Sequence, residues 1–153
     1  MDESIKVVVF RMGEQRYGVD IQNVLGIEKL QTITNVPQTS AFIKGVINLR
    51  GDITPLIDLK ERLQLGKTEH AEETRILIVN MHDIQVGLII DAATDVMDID
   101  LSSVEPAPEV INGVNESFLR GVAKLEDNLL ILLDLEHILN LDEVNEVSEI
   151  IED

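Results

Sequence analysis

Three histidines and 29 carboxylates are the residues from which this chain could build a catalytic or metal centre. His70, His82 and His137 fall in a polar stretch, a turn and a helical run, without the spacing that sets two ligands on one face around a metal, so no metal site is expected. Ser4, Ser40, Ser102, Ser103, Ser117 and Ser148 occupy no nucleophile-elbow context, and the glycines form neither a phosphate loop nor a dinucleotide fingerprint. The many carboxylates make chance pairs inevitable, and nothing marks out an acid–base dyad. The chain therefore reads as a non-enzyme with no cofactor, and its chemistry must be that of binding. Arg50, in "NLRGD" at a strand end, is the residue best suited to it. Its guanidinium can fork onto a partner's carboxylate or pair locally with Asp52 or Glu28, and spacing leaves both readings open. Val24, Ile27, Val46 and Leu49 either line a groove beside it or pack in the core.

The chain of 153 residues has 44% hydrophobic content, enough for a packed core in one ordinary domain or two very small ones. A formal charge of −17, with 29 acids against 12 bases, disfavours nucleic acid and anionic lipid as partners. No apolar run approaches the roughly 20 residues that span a bilayer, so direct membrane insertion is not expected. The acidic start "MDESIKVVVF" carries too short an apolar core for a secretory signal, which gives a cytoplasmic expectation. With no cysteine, stability rests on burial without disulfides.

The elements that must position Arg50 are mostly strands. "IKVVVF" and "RYGVDI" flank a turn, "VINLR" and "ITPLIDL" flank Gly51-Asp52, and "RILIVNM" and "IQVGLIID" flank His82-Asp83. Pro55 marks an edge or a bulge. A short helix is expected from Asp20, with Ile21, Val24 and Leu25 on one face and Gly26 ending it. Further short helices are expected in "LKERLQL" and "LEHILNL", a linker in 66–74, and a long loop between Asp98 and Ser117. The tail "DEVNEVSEIIED" has apolar residues at 144, 147, 150 and 151, the spacing of a frayed amphipathic helix, with contact to a basic surface as the alternative.

Residues 42–65 align without a gap on 118–141 with nine identities, among them Phe42/Phe118, Gly45/Gly121, Leu56/Leu132 and Asp58/Asp134. The glycines suit a positive φ where a loop enters a strand, and the aspartates suit helix capping. Arg50 aligns with Glu126, so one copy carries a device that the other lacks. Two such halves, each marginal alone, must pack on each other as small β-barrels.

Taken together, "YGVDIQNVLGI", "VPQTSAFIKGVINLRGDITPLIDL", "VGLIIDAATDVMDI", "VEPAPEV" and "LLILLDLEHIL" resemble the CheW family of bacterial chemotaxis coupling proteins, from about Val7 to Leu141. "AFIKGVINLRG" is the most specific part. The resemblance implies a single mainly β domain over 1–153, made of two SH3-like five-stranded β-barrels with short helices, one of them near the C-terminus. Subdomain 1 is expected at about 14–66 and subdomain 2 at about 75–141, with strand 5–12 crossing over and 142–153 as an acidic tail. It implies a non-catalytic adaptor in two-component signalling, cytoplasmic and associated with membrane-bound receptor arrays. The partners would be the regulatory domain of the histidine kinase CheA and the signalling tip of methyl-accepting chemoreceptors. The receptor-binding residues would be Val24, Ile27, Val46, Asn48, Leu49 and Arg50, whereas the kinase contacts carry no short motif to transfer. A glutamate found in some members is Gly26 here, so an ion pair to Arg50 must be absent or use another acid such as Glu28. An adaptor of this type in another receptor-kinase pathway is the alternative, followed by a small-ligand-binding or hydrolytic β-barrel.

Overall fold

The computed structural model describes residues 3–37, 39–111 and 113–152. The first half runs β1 (Ser4–Met12), β2 (Gln15–Asp20), a 3₁₀ turn (Ile21–Asn23), β3 (Val24–Lys29), β4 (Ile43–Leu49), β5 (Asp52–Asp58) and α1 (Leu59–Arg62). The second half runs β6 (Arg75–Met81), β7 (Ile84–Ile90), β8 (Ala92–Asp100), a 3₁₀ turn (Leu101–Ser103) and the short strands β9 (Val104–Glu105), β10 (Val110–Ile111) and β11 (Val114–Asn115). A turn (Glu116–Phe118), β12 (Leu119–Lys124), β13 (Leu129–Leu133), a turn (Leu135–His137) and α2 (Leu141–Glu152) follow. One sheet has the order β8-β1-β2-β13-β12-β9, the other β3-β6-β7-β5-β4, and β10 pairs with β11. When β1, β2, β3, β4 and β5 of the first half are matched in chain order with β6, β7, β8, β12 and β13 of the second, the five long strands of both sheets have the same order.

Against the expected subdomains, about 14–66 and about 75–141 with strand 5–12 crossing over, the sheets exchange more of the chain: the crossing takes in the whole β1–β2 hairpin and the β6–β7 hairpin as well. The β1–β2 hairpin belongs with β8, β12 and β13, and the β6–β7 hairpin belongs with β3, β4 and β5. Each half thus donates its hairpin to the other half's sheet, through parallel pairings of β7 with β5 (Leu56↔Gly87) and β2 with β13 (Leu132↔Gly18). The stretch 66–74 therefore separates no subdomains. It is also pinned: the Thr68 N–H and hydroxyl both donate to the Asp58 carboxylate, at 2.9 and 2.7 Å.

Long apolar runs occur because these strands are buried on both faces. In β1, Val7 and Val9 join Ile99, Ala123, Leu130 and Leu132 in a small core inside one barrel. Val8, Phe10 and Met12, on the opposite face, join Tyr17, Leu77, Val79 and Leu88 in the largest core, between the two sheets. In β6, Ile76 and Ile78 point into the other barrel with Ile47, Leu49, Leu56 and Ile89. Each fully buried Leu or Ile contributes roughly 1.5–3 kcal/mol of transfer free energy.

Several local expectations change for physical reasons. Asp20 does cap, accepting from the Gln22 N–H at 2.9 Å, but only for one 3₁₀ turn. Val24 to Lys29 is then drawn into the ladder with β6, overriding its helical spacing. Pro55 lies in the interior strand β5, at a position before its pairing with β7 begins, so its missing N–H breaks no bond to that neighbour. "LEHILNL" forms only a 3₁₀ turn before α2, and part of the 98–117 loop is short strand. The tail is a docked helix with Val147 fully buried and Val144 and Ile150 against the large core. Its first turn is closed by a capping box, in which the Glu143 N–H donates to Asn140 Oδ1 at 2.9 Å and the Asn140 N–H to Glu143 Oε1 at 2.8 Å.

The repeated glycines sit at matching bulges, between Ile43 and Gly45 and between Leu119 and Gly121. Gly45 has φ +138°, and a Cβ there would collide with the Thr34 carbonyl, which accepts from the Val46 N–H at 2.8 Å. Gly121 has no positive φ; its need is space, because a Cβ would lie 2.8 Å from the Glu105 carbonyl oxygen. The paired aspartates cap as expected, Asp58 accepting from the Glu61 N–H and Asp134 from the Glu136 N–H.

Gly45→Ala is expected to lower unfolding stability by about 2 kcal/mol or more, measured by denaturant titration. Burial pushes the phenol of Tyr17, the only tyrosine, above its ordinary value of 10.0, since a phenolate is poorly solvated in the core. The unfolded chain then loses this proton at lower pH than the folded chain, so stability is unaffected at neutral pH and falls as pH rises through 10.0. Phenolate absorbance should show a midpoint above 10.0 in the folded protein, and Tyr17→Phe should remove this alkaline component.

Candidate functional site

Arg50 and Gly51 form a two-residue hairpin turn with φ values of +52° and +93°, the left-handed pair that matches strand twist. Asn48 stabilises it, its Oδ1 accepting the Gly51 N–H at 2.8 Å. A non-glycine residue in this conformation projects its side chain from the tip of the β4–β5 hairpin, and the Arg50 side chain is 77% exposed. Its Nη2 lies 3.3 Å from Glu28 Oε2, so the acid that pairs with Arg50 is Glu28 rather than Asp52. Glu28 can reach because it is two residues beyond Gly26 on β3, and alternate residues share a face.

The six expected site residues separate into three groups. Arg50, Asn48 and Ile27 are exposed, Ile27 at 43%. Val46 is half-buried on the outer face of β4, beside Ile53 and near the C-terminal part of α2. Leu49 is buried in a barrel core and supports the turn from beneath. Val24 is half-buried against the large inter-sheet core, and it lies on a strand rather than on the expected helix.

Two exposed apolar residues were not among the expected set. Leu25 is 57% exposed because β3 bulges between Val24 and Gly26, leaving Leu25 without a partner in the β3–β6 register. The other barrel bulges equivalently at Thr94, whose hydroxyl donates to the Val9 carbonyl at 3.1 Å, so only the first copy turns an apolar side chain outward there. Reading "VLGI" as a helix hid this. Ile53 is 46% exposed, opposite Asn48 in the β4–β5 register. Around Arg50, a small hollow of ≈ 100 Å³ gathers Leu25, Glu28, Leu49, Asp52 and Gln85.

Elsewhere, several titratable groups make local pairs that serve the fold. His82 Nδ1 lies 3.2 Å from Glu136 Oε2, and His137 Nδ1 lies 2.7 Å from Asp134 Oδ2. Hydrogen bonds from the Ser102 N–H and then its hydroxyl hold the Asp100 carboxyl below the usual range, as expected for a turn cap. Among the described residues, no three of His, Cys, Asp and Glu come together as a metal site, and no helix is long and apolar enough to cross a membrane.

The exchanged hairpins and twin cores define a mainly β protein of two SH3-like barrels, one of which presents Arg50 beside exposed apolar side chains at its edge. A model of the CheW-like domain matches residues 6–143, and the chain belongs to that family. It is 40% identical over 135 residues to the chemotaxis protein CheW of Bacillus subtilis (strain 168), covering 88% of this chain and 86% of that protein. It is 33% identical over 143 residues to chemotaxis protein CheW of Klebsiella aerogenes, covering 94% and 86%. The crystal structure of the scaffolding protein TtCheW from Thermoanaerobacter tengcongensis superimposes with a TM-score of 0.84 at 40% identity, over 92% of this chain and 91% of that one.

Because Arg50 is mostly exposed, Glu28→Gln should change unfolding stability by less than about 1 kcal/mol, and the difference should shrink with added salt.

Proposed function

We propose that this protein is a non-catalytic chemotaxis adaptor that couples the signalling tips of chemoreceptors to the regulatory domain of the histidine kinase CheA, on the cytoplasmic side of membrane-bound arrays. The observation that carries this reading is family membership along nearly the whole chain, with close structural likeness to a scaffolding protein. In this reading the receptor meets the β3 and β4–β5 edge of one barrel. Arg50 orients the receptor by offering its guanidinium to a carboxylate, exchanging the solvated Glu28 pair for a partly dehydrated one. Ile27 and Val46 supply apolar contact, with Leu25 added by the bulge, while Asn48 fixes the turn and Leu49 holds it from inside. Val24, being half-buried, acts chiefly by setting the position of β3.

Binding kinase and receptor together would raise the effective concentration of each for the other and let receptor conformation bias the kinase. Calorimetric titration of the full chain against the CheA regulatory domain and a receptor signalling fragment tests this. Micromolar or tighter binding to both is expected, and Arg50→Ala should weaken only the receptor, on the order of tenfold, with unchanged thermal stability. A loss of stability matching the loss of binding would assign Arg50 to the fold instead.

A further inference from the structure

Three hollows follow one another around the β4–β5 hairpin, from the barrel mouth over Leu49 and Ile78 to the outer face at Val46 and Ile53. The first, at Arg50, shares Asp52 and Gln85 with the second, which reaches Ile53 and Ile151; the third shares Ile53 and continues past Val46. This third stretch, ≈ 480 Å³, has an apolar floor of Val36, Pro37, Val46 and Ile53 and a wall formed by α2, with Ile150 and Glu149. The trough is continuous with the receptor edge proposed above.

Glu149 is the unusual member of that wall. The other acids of α2 that face the body are engaged: Glu143 lies 2.9 Å from Arg62, and Glu146 accepts the Ser40 N–H at 2.5 Å and its hydroxyl at 2.8 Å. Glu149 is exposed and, among the described residues, has no ionic partner. It also stands near the C-terminal end of a 12-residue helix with no base in its last turn, where the backbone dipole already concentrates negative charge. An acid in that place opposes helix stability, and a cation arriving beside the apolar floor would relieve the conflict. We propose that the receptor contact extends along this trough to α2 and that Glu149 receives a basic side chain from the docked receptor helix. This rests on the receptor-coupling reading. The occupant is an amphipathic helix whose apolar row lies over Val46 and Ile53, with an acid toward Arg50 and a base toward Glu149. The two opposite charges then fix the direction in which it lies.

Glu149→Lys separates this role from a structural one. Placing a base at the C-terminal end of α2 should leave the melting temperature unchanged or raise it, yet weaken binding of the receptor fragment by roughly threefold to tenfold at low salt, with less effect at high salt. Binding to the CheA regulatory domain should not change. If Arg50→Ala weakens the receptor and Glu149→Lys does not, the receptor reading stands and the extension to α2 is overturned. Equal weakening of kinase and receptor overturns it too, by placing α2 at a shared surface. No receptor binding by the unaltered protein removes both readings together.

Discussion

Two parallel strand pairings, β5 with β7 and β13 with β2, join sequences that the chain places far apart, and the rest of the molecule follows from them. Each pairing inserts a hairpin from one repeat into the sheet of the other. The inserted strands then face a barrel interior on one side and the opposing sheet on the other, so both faces must be apolar. The large core exists only because both exchanges occur, since it draws Val8, Phe10 and Tyr17 from one hairpin and Leu77, Val79 and Leu88 from the other.

Where the two copies meet, near-symmetry is completed by one asymmetric residue. The Arg62 guanidinium lies over the rings of Phe42 and Phe118, 5.1 and 4.9 Å from their centroids, and those two phenylalanines are equivalent in the repeat. Its Nε donates at 2.7 Å to the carbonyl of Ile138, the residue that aligns with Arg62 itself. A cation between two aromatic faces, with only 13% of its side chain exposed, needs a counter-charge, and Glu143 supplies it. Glu143 is also half of the capping box that starts α2, so the helix is anchored where the copies join and runs from there along β5. The trough beside Val46 thus owes its wall to the seam between the repeats.

Much of this was legible because hydrophobic runs and turn pairs are local signals. The hairpins at Gly13, Gly51 and His82-Asp83, the capping aspartates and the paired phenylalanines could all be read from residue types. The exchange of hairpins could not, since a strand's apolar pattern says that it is buried and not beside which strand; only the family resemblance implied a crossing, and that of strand 5–12 alone. Val24 to Lys29 misled for a related reason: apolar residues at 21, 24 and 25 suit one helical face, yet the ladder to β6 outweighs that weak propensity. At the site, the pairing of Arg50 with Glu28 was one of the two local pairings the sequence left open, whereas the exposure of Leu25 depends on a bulge and the hollows at Ile53 on where α2 packs. Leu49, a plausible contact by hydrophobicity, is buried because strand alternation turns it inward beside Ile47.

The hairpin exchange also sets an order of events during synthesis. The β1–β2 hairpin is made well before its lateral partner, β13, which lies at 129–133. Until most of the chain has been made, β2 keeps an open edge and its apolar face lacks the sheet that will cover it. Contacts of such large sequence separation form slowly, because a long loop must close before any of them is gained. The nascent protein therefore passes through a long interval in which the β1–β2 hairpin is paired only with itself, and a holding chaperone would find its clearest target in Val8, Phe10 and Tyr17.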